Sequence, residues 1–489
     1  MSIQTIDFSR KWYVMAAVSM GTLLATIDGS IVNVALPTLV RELDTDFAAV
    51  QWVVLAYLLT LATLLPSIGR LADMIGKKQI YMLGFVVFTL GSFLCGLAST
   101  IHLLIAFRVV QAVGATMILA LGSAIVTESF PASERGRALG FTGTMVSIGI
   151  VIGPTLGGLL IDLFSWHWIF FVNIPVGILG VLMIMRFVPD IKPKGRQRFD
   201  FQGAVTLFFC LLALLSALTL GQSAGFSDMR VLGLFALGVF LLGLFIVVEK
   251  RAEQPMIDLT LFRNLEFSTS LVTGYLTFVA VAGTLILMPF YLENVLGYNT
   301  RQVGLLMAVL PVAMGVVAPI AGATSDRFGT RKITVVGLVI LLIGYGAMSR
   351  LTVQTSALTF ALLYLPVGLG MGIFQSPNNS AIMGAASQEK LGVVSGMLAL
   401  NRTLGQTTGI AIIGTIWAAL TIYFAKPTII TDAAEAAAPA QVAALQVTFI
   451  IIAAVILIAL FLAIWTMIKE SSRRDAVGYC ANSRRGPNP

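Results

Sequence analysis

Three charged residues fall inside long apolar runs of this sequence: Asp28, Arg108 and Arg402. An ionised side chain within a bilayer is costly, so it normally faces a partner or a water-filled cavity and marks a place where protons, ions or polar solutes are handled. Asp28 is the one acid well inside a run, with Asn33 five residues on, and Arg108 is followed by Gln111. An acid and a base of this kind support two chemistries. One is a permanent ion pair; the other is a carboxyl group that alternates between a charged, paired form and a protonated form. Arg402 can hold an anionic or hydrogen-bonding solute, or pair with a helix end, and depth alone leaves both open. Gln375 and Asn379 add polar groups to another apolar run.

Other chemistries lack their residues. There are two histidines, His102 and His167, and neither H-E-x-x-H nor G-x-S-x-G occurs. Gly76, Lys77 and Lys78 have neither the hydroxyl residue nor the spacing of a phosphate-binding loop. An enzyme is not expected, and no cofactor or metal is implied. The chain has 489 residues, 57% hydrophobic and 11% charged, whereas soluble domains carry about 25% charged residues. The net charge of +8 has no soluble basic domain to carry it, so nucleic acid is not an expected partner. Cys95, Cys210 and Cys480 are far apart, two of them in apolar runs, and no disulfide framework is expected.

A membrane-spanning helix needs about 20 mainly apolar residues. Breaking the chain at charge and turn clusters gives fourteen such runs, centred near residues 24, 59, 89, 114, 149, 177, 210, 240, 280, 312, 341, 366, 405 and 456. The first, Trp12 to Leu36, is too long for a signal-peptide core and is expected to remain as helix 1, ending at Pro37. At 1.5 Å per residue, Asp28 lies about 10 Å and Arg108 about 9 Å below the outer ends of their runs, at similar depth. With the N-terminus inside, the outer loops hold only Arg41, Arg230, Arg301, Arg350 and Lys426, while the remaining loop and tail lysines and arginines fall inside. That asymmetry predicts cytoplasmic termini.

Gly69, Asp73 and Gly76, followed by Lys77 and Lys78, recur at the same offsets as Gly322, Asp326 and Gly329, followed by Arg331 and Lys332. Each set is expected in a short cytoplasmic loop, after helices 2 and 10. A repeat of this kind means two related halves. It is spaced by eight helices rather than six, so two helices have been inserted. The expected organisation is a six-helix bundle over 1–198, a two-helix insertion over 199–250, and a second six-helix bundle with a cytoplasmic tail over 251–489.

In these motifs the sequence resembles the major facilitator superfamily, and within it the fourteen-helix drug:proton antiporters. The first loop is similar to that superfamily's G-x-L-A-D-x-x-G-[RK]-[RK] signature, with Met74 where a basic residue is usual. The glycines permit a tight turn, and Asp73 can face the positive end of a neighbouring helix, closing the cytoplasmic side; a solvated turn is the alternative. Gly149, Gly153, Pro154, Gly157 and Gly158 resemble the glycine-proline signature of the antiporters, although glycines at this spacing also serve ordinary close packing. The segments around Asp28, Arg108, Gln375 and Arg402 resemble family sequences as well. So does Trp166 to Pro175, which includes Asn173 and has His167 where arginine is more usual.

The resemblance implies an all-α major facilitator fold of two six-helix bundles that rock to expose a central cavity to each side in turn. It implies a monomeric, multi-pass protein of the plasma (inner) membrane, exchanging an amphiphilic small molecule for protons. Asp28 and Arg108 would couple protons, with Asn33, Gln111, Gln375, Asn379 and Arg402 in the cavity. Proton-coupled uptake of a specific solute, and a receptor or scaffold on the same fold, remain alternatives. One acid and two arginines within the spans leave little spare negative charge for a cation, so neutral or anionic amphiphiles are at least as plausible as substrates.

Overall fold

In the lipid interior every backbone amide must be paired within the protein, and long apolar runs achieve this as helices. A computed structural model of the chain describes residues 10–131, 134–190, 200–225, 227–252, 259–384, 391–425 and 433–483; within it the side chains of Asp73 and Asp326 are not described. The helices are α1 (Lys11–Glu42), α2 (Phe47–Ile75), α3 (Lys77–Gly96), α4 (Ile101–Ser129), α5 (Arg135–Leu163), α6 (Trp168–Phe171) and α7 (Asn173–Phe187). They continue with α8 (Phe201–Ala224), α9 (Met229–Arg251), α10 (Leu265–Phe290), α11 (Thr300–Met307), α12 (Val309–Phe328), α13 (Thr330–Met348), α14 (Ala357–Gly384), α15 (Leu391–Phe424) and α16 (Ala438–Ser483). No strand occurs among the described residues.

The pairs α6/α7 and α11/α12 each make one crossing, so sixteen helices give fourteen segments. Thirteen are long and apolar enough to span a bilayer. The fourteenth is α5, whose described apolar stretch is Ile148–Leu163. Every expected centre falls within its helix. Polar side chains start several of them: Asp46 accepts from the Ala49 amide (2.6 Å), Asp200 from Gly203 (2.8 Å), and Asn299 forms a reciprocal capping box with Gln302.

One boundary differs from expectation, and another helix runs through its prolines in the same way. Helix α1 continues through Pro37 to Glu42, and α14 through Pro366 and Pro377 to Gly384. Proline removes one backbone donor, but neighbouring helices and local adjustment accommodate the gap within a membrane, so it need not end the helix. Asp28 is therefore about 21 Å from the end of α1, while Arg108 is about 10 Å from the start of α4.

The repeat is also more helical than expected. Gly69 and Asp73 belong to the last turns of α2, and Gly322 and Asp326 to those of α12. The turn is a single residue in each copy. Gly76 (φ +122°) donates to the Ala72 carbonyl at 2.9 Å, and Gly329 (φ +91°) to the Ser325 carbonyl at 2.8 Å. Such backbone angles suit glycine alone. The correspondence continues into the following helices, where Gly84 and Gly91 bring α3 against α4 while Gly337 and Gly344, at the same offsets, bring α13 against α14.

The end of the molecule bearing Lys11, Lys77 and Lys469 is called here the basic face, and the end bearing Arg41 and Glu293 the far face. At the far face the two halves are closed on one another. Arg41 of α1 pairs with Glu293 beyond α10. Phe47 of α2 packs between Phe290 of α10 and Trp417 of α15, with ring centroids 4.8 and 4.9 Å away. The inserted helices α8 and α9 pack on each other, Cys210 bonding to the Gly238 carbonyl. Through Leu207, Leu211 and Leu215 they also dock where Ala62 of α2 meets Leu400 of α15. They thus straddle the seam between the halves. The stretch 191–199 leading into them lies outside the described residues.

Candidate functional site

The site in the N-terminal half is built where glycine permits it. At Gly91 a Cβ would collide with the backbone of Gln111, so its absence lets α3 approach α4 closely. The neighbouring Ser92 then reaches the polar groups of α4. Between α6 and α7 the helix breaks at Val172, and Asn173 begins α7 with its side chain turned inward, 2% exposed. Pro175 in the first turn of α7 has no amide to lose there.

These elements surround Asp28. Arg108 donates through Nη1 to Asp28 Oδ2 at 2.6 Å and to Gln111 Oε1 at 2.7 Å, and through Nε to the Val53 carbonyl at 3.2 Å. Asp28 Oδ1 accepts from Gln111 Nε2 at 2.7 Å and from Asn173 Nδ2 at 3.1 Å. Both amides also donate to Ser92 Oγ, at 2.5 and 3.0 Å. The Cys95 thiol lies 3.7 Å from Gln111 Oε1. The guanidinium lies 4.0 Å over the ring of Tyr57, whose buried hydroxyl has no partner among the described residues. Asp28 and Arg108 are 0% and 1% exposed. A buried pair persists when further hydrogen bonds support it; here both carboxylate oxygens of Asp28 and the Nε and Nη1 groups of Arg108 have partners, and removing one member costs about 3–5 kcal/mol.

The equal depth inferred from helix counting thus corresponds to direct contact, even though α1 runs further than expected. Gln111 was expected to line the cavity and is instead enclosed within the bundle, because the close α3–α4 contact turns it toward Asp28 and Ser92. Asn33, five residues past Asp28 and so about 140° around α1, is half-buried and outside this network. Ser92, Tyr57 and Cys95 were not anticipated, since neutral residues in apolar runs carry no charge signal. Asn173 had one in retrospect, a lone amide at the start of an apolar helix. Nearby, His167 stacks on Trp166 at 3.8 Å and is held below the ordinary histidine value by burial, against a smaller upward pull from Glu42.

The glycine series of α5 serves two contacts. Gly149 and Gly153 face Thr26 and Ser30 of α1, and Gly157 faces Ile31. Gly158 instead faces Thr300 and Gly304 of α11, in the other half, and the Pro154 carbonyl lies against Gly304. One helix therefore links the Asp28 helix to the far-face closure.

A family model described as Major Facilitator Superfamily matches residues 18–410. The chain belongs to the major facilitator superfamily. Curated relatives include the riboflavin transporter RibZ of Clostridioides difficile (strain 630), 34% identical over 419 residues, covering 85% of this chain and 90% of that one. They also include the multidrug resistance protein Stp of Mycobacterium tuberculosis, 34% identical over 406 residues, covering 83% and 75%. The multidrug transporter protein MdtP of Bacillus subtilis is 29% identical over 409 residues, again covering 83% and 75%. Among solved structures, a bacterial homologue of the human lysosomal transporter Spinster superposes with a TM-score of 0.65 at 18% identity, covering 93% and 96%. The expected fold and superfamily are borne out, and the protein is a multi-pass membrane transporter of this superfamily.

Within this major facilitator fold the C-terminal candidates share one region. On α14, Asn378 donates to the Ser270 carbonyl of α10 at 3.1 Å, and Gly368 and Gly372 pack on α12. Gln375 and Asn379 lie on the helix sector between those two faces, both half-buried. On α15, Asn401 donates to the Leu271 carbonyl of α10 at 3.0 Å, while Ala399 packs against the N-terminal half. Arg402 falls in the sector between them, half-buried, with no hydrogen-bond or ion-pair partner among the described residues. At the basic face Lys77 pairs with Glu128, and Arg331 with Glu266 at 2.7 Å, each within its own half. The gate roles expected of Asp73 and Asp326 concern side chains outside the description.

Proposed function

We propose that this transporter exports amphiphilic small molecules in exchange for protons, with the basic face cytoplasmic and Asp28 as the proton-carrying group. The observation that carries the reading is the Asp28–Arg108 network, in which one carboxylate ties together α1, α4 and α7 out of contact with solvent. Protonating Asp28 would replace an acceptor with a donor and leave Arg108 without its counter-charge. The guanidinium would then hold to the Val53 carbonyl and the Tyr57 ring, and α1 would be freed to shift against α4. Movement of α1 is passed to α5 through the glycine contacts and from α5 to α11 at the far face. Protonation state and far-face closure are thereby coupled through packed helices, which is what alternating access requires.

The names of Stp and MdtP favour a multidrug range of substrates. A second reading, movement of one specific solute, draws on the name of RibZ, which matches a larger share of its own length. The test is proton release from acidified everted vesicles on adding cationic, neutral and anionic amphiphiles, comparing wild type with Asp28→Asn at equal membrane abundance. Discharge of the gradient by some class, dependent on Asp28, is the expected result. If no class discharges it, the export reading falls and solute uptake takes its place.

A further inference from the structure

We infer that the transported molecule is an anion, a carboxylate-bearing amphiphile whose negative group is held by Arg402. The inference rests on the export reading for its transport consequence, but its binding consequence is independent. A guanidinium remains charged in proteins, and within a membrane it is tolerated when paired or facing a water-filled cavity. The two intramembrane arginines differ in this respect. Arg108 is fully enclosed and its charge is met by Asp28. Arg402 is half-buried and meets no acid among the described residues.

Among the described residues the acids away from the surface are placed elsewhere. Glu128, Glu266 and Glu293 pair with Lys77, Arg331 and Arg41, Asp162 is exposed at the end of α5, and the buried Glu249 lies with Asp200 against Gly203 at the ends of α9 and α8. Among the described residues the surroundings of Arg402 therefore carry an unmatched positive charge, which repels a lipophilic cation and attracts an anion. Polar groups able to supplement it stand close in depth. Gln375 is about 14 Å from the basic-face end of α14, and Arg402 about 16 Å from that of α15, while Gln406 is one turn beyond Arg402 and also half-buried. The apolar part of such a ligand has Phe278 of α10, only partly buried and packed against Gly405, three residues from Arg402. A planar guanidinium grips a carboxylate through two parallel bonds, which a neutral amide of the same shape cannot match.

The experiment measures binding to purified protein in nanodiscs, without any gradient, by fluorescence of three probes sharing one fluorophore: dansylglycine, dansylglycinamide and dansylcholine. The acid is expected to bind at least about tenfold more tightly than its amide and than the cation, as for a charge-assisted bond. Arg402→Gln should bring the acid-to-amide ratio close to one with thermal unfolding unchanged, and Arg402→Lys should retain part of the preference. Equal or tighter binding of dansylcholine, no preference for the acid in wild type, or a preference that survives Arg402→Gln each overturns the inference. If the glutamine variant does not accumulate, the wild-type ratio of acid to amide decides. Because no proton flux is measured, a failed export assay and a failed anion preference are separate results.

Discussion

Ser30 of α1 donates to the carbonyl of Gly149 on α5 at 3.3 Å, and one turn further along α5 Gly153 faces the same serine with no side chain between them. A Cβ at position 153 would collide with the Ser30 hydroxyl and crowd its Cβ. Overpacking of this kind costs about 1–3 kcal/mol. Gly153→Ala should therefore lower thermal stability and transport together, and Ser30→Gly in the same chain should restore much of both. Loss without rescue would mean that the glycine acts through something other than space against α1.

The buried charge network predicts strong non-additivity. Asp28→Asn and Arg108→Gln should each destabilise by about 3–5 kcal/mol, since each leaves a partner buried and unmatched. The double variant should be destabilised by clearly less than the sum, because it leaves no lone charge. Unfolding of the four proteins in one detergent gives the cycle, and an additive result would mean that the pair is not coupled in solution.

At the far face Arg41 is 54% exposed on its side chain and Glu293 9%. Water reaches the arginine of this pair and screens it, so its attraction is worth about 1 kcal/mol. Arg41→Glu, which removes the pair and sets a like charge against Glu293, should therefore favour opening by about fivefold or more. In a Cys480→Ser background, in which Cys95 and Cys210 are buried, labelling of Gln51→Cys from the far side reports this. The swap Arg41→Glu with Glu293→Arg should return labelling to its starting level.

Voltage separates substrate charges. Exchange of one monovalent anion outward for one proton inward moves two charges in the sense favoured by an interior-negative potential, each worth about 2.3 kcal/mol per 100 mV. Exchange of a cation for a proton moves none. In proteoliposomes with a potassium diffusion potential, dansylglycine efflux should accelerate as the interior becomes negative. A voltage-independent rate would point to a different stoichiometry or a neutral substrate.

Much of the fold was legible because the bilayer imposes a length and an apolar composition on every crossing, and because Gly76 and Gly329 repeat within related motifs. The Asp28–Arg108 contact was legible because two opposite charges in apolar runs have few alternatives to meeting. What escaped was decided by neighbours rather than by local sequence. Pro37 reads as a stop and is absorbed within α1. Gln111 read as a cavity residue and is turned inward by the close approach of α3 at Gly91. Ser92 and Tyr57 acquire meaning only once α2, α3 and α4 are seen to converge on one carboxylate.

The pairing of Arg108 with Asp28 also bears on how the protein is made. An arginine about 10 Å inside a helix entering the bilayer alone is costly, up to about 2.5–3.5 kcal/mol at the centre on insertion scales. Synthesis runs from the N-terminus, so α1 and its carboxylate are already in the membrane when α4 emerges. The earlier helix can receive the later one as its counter-ion. An order of synthesis that placed α4 before α1 would ask the insertion machinery to accept Arg108 with nothing to meet it.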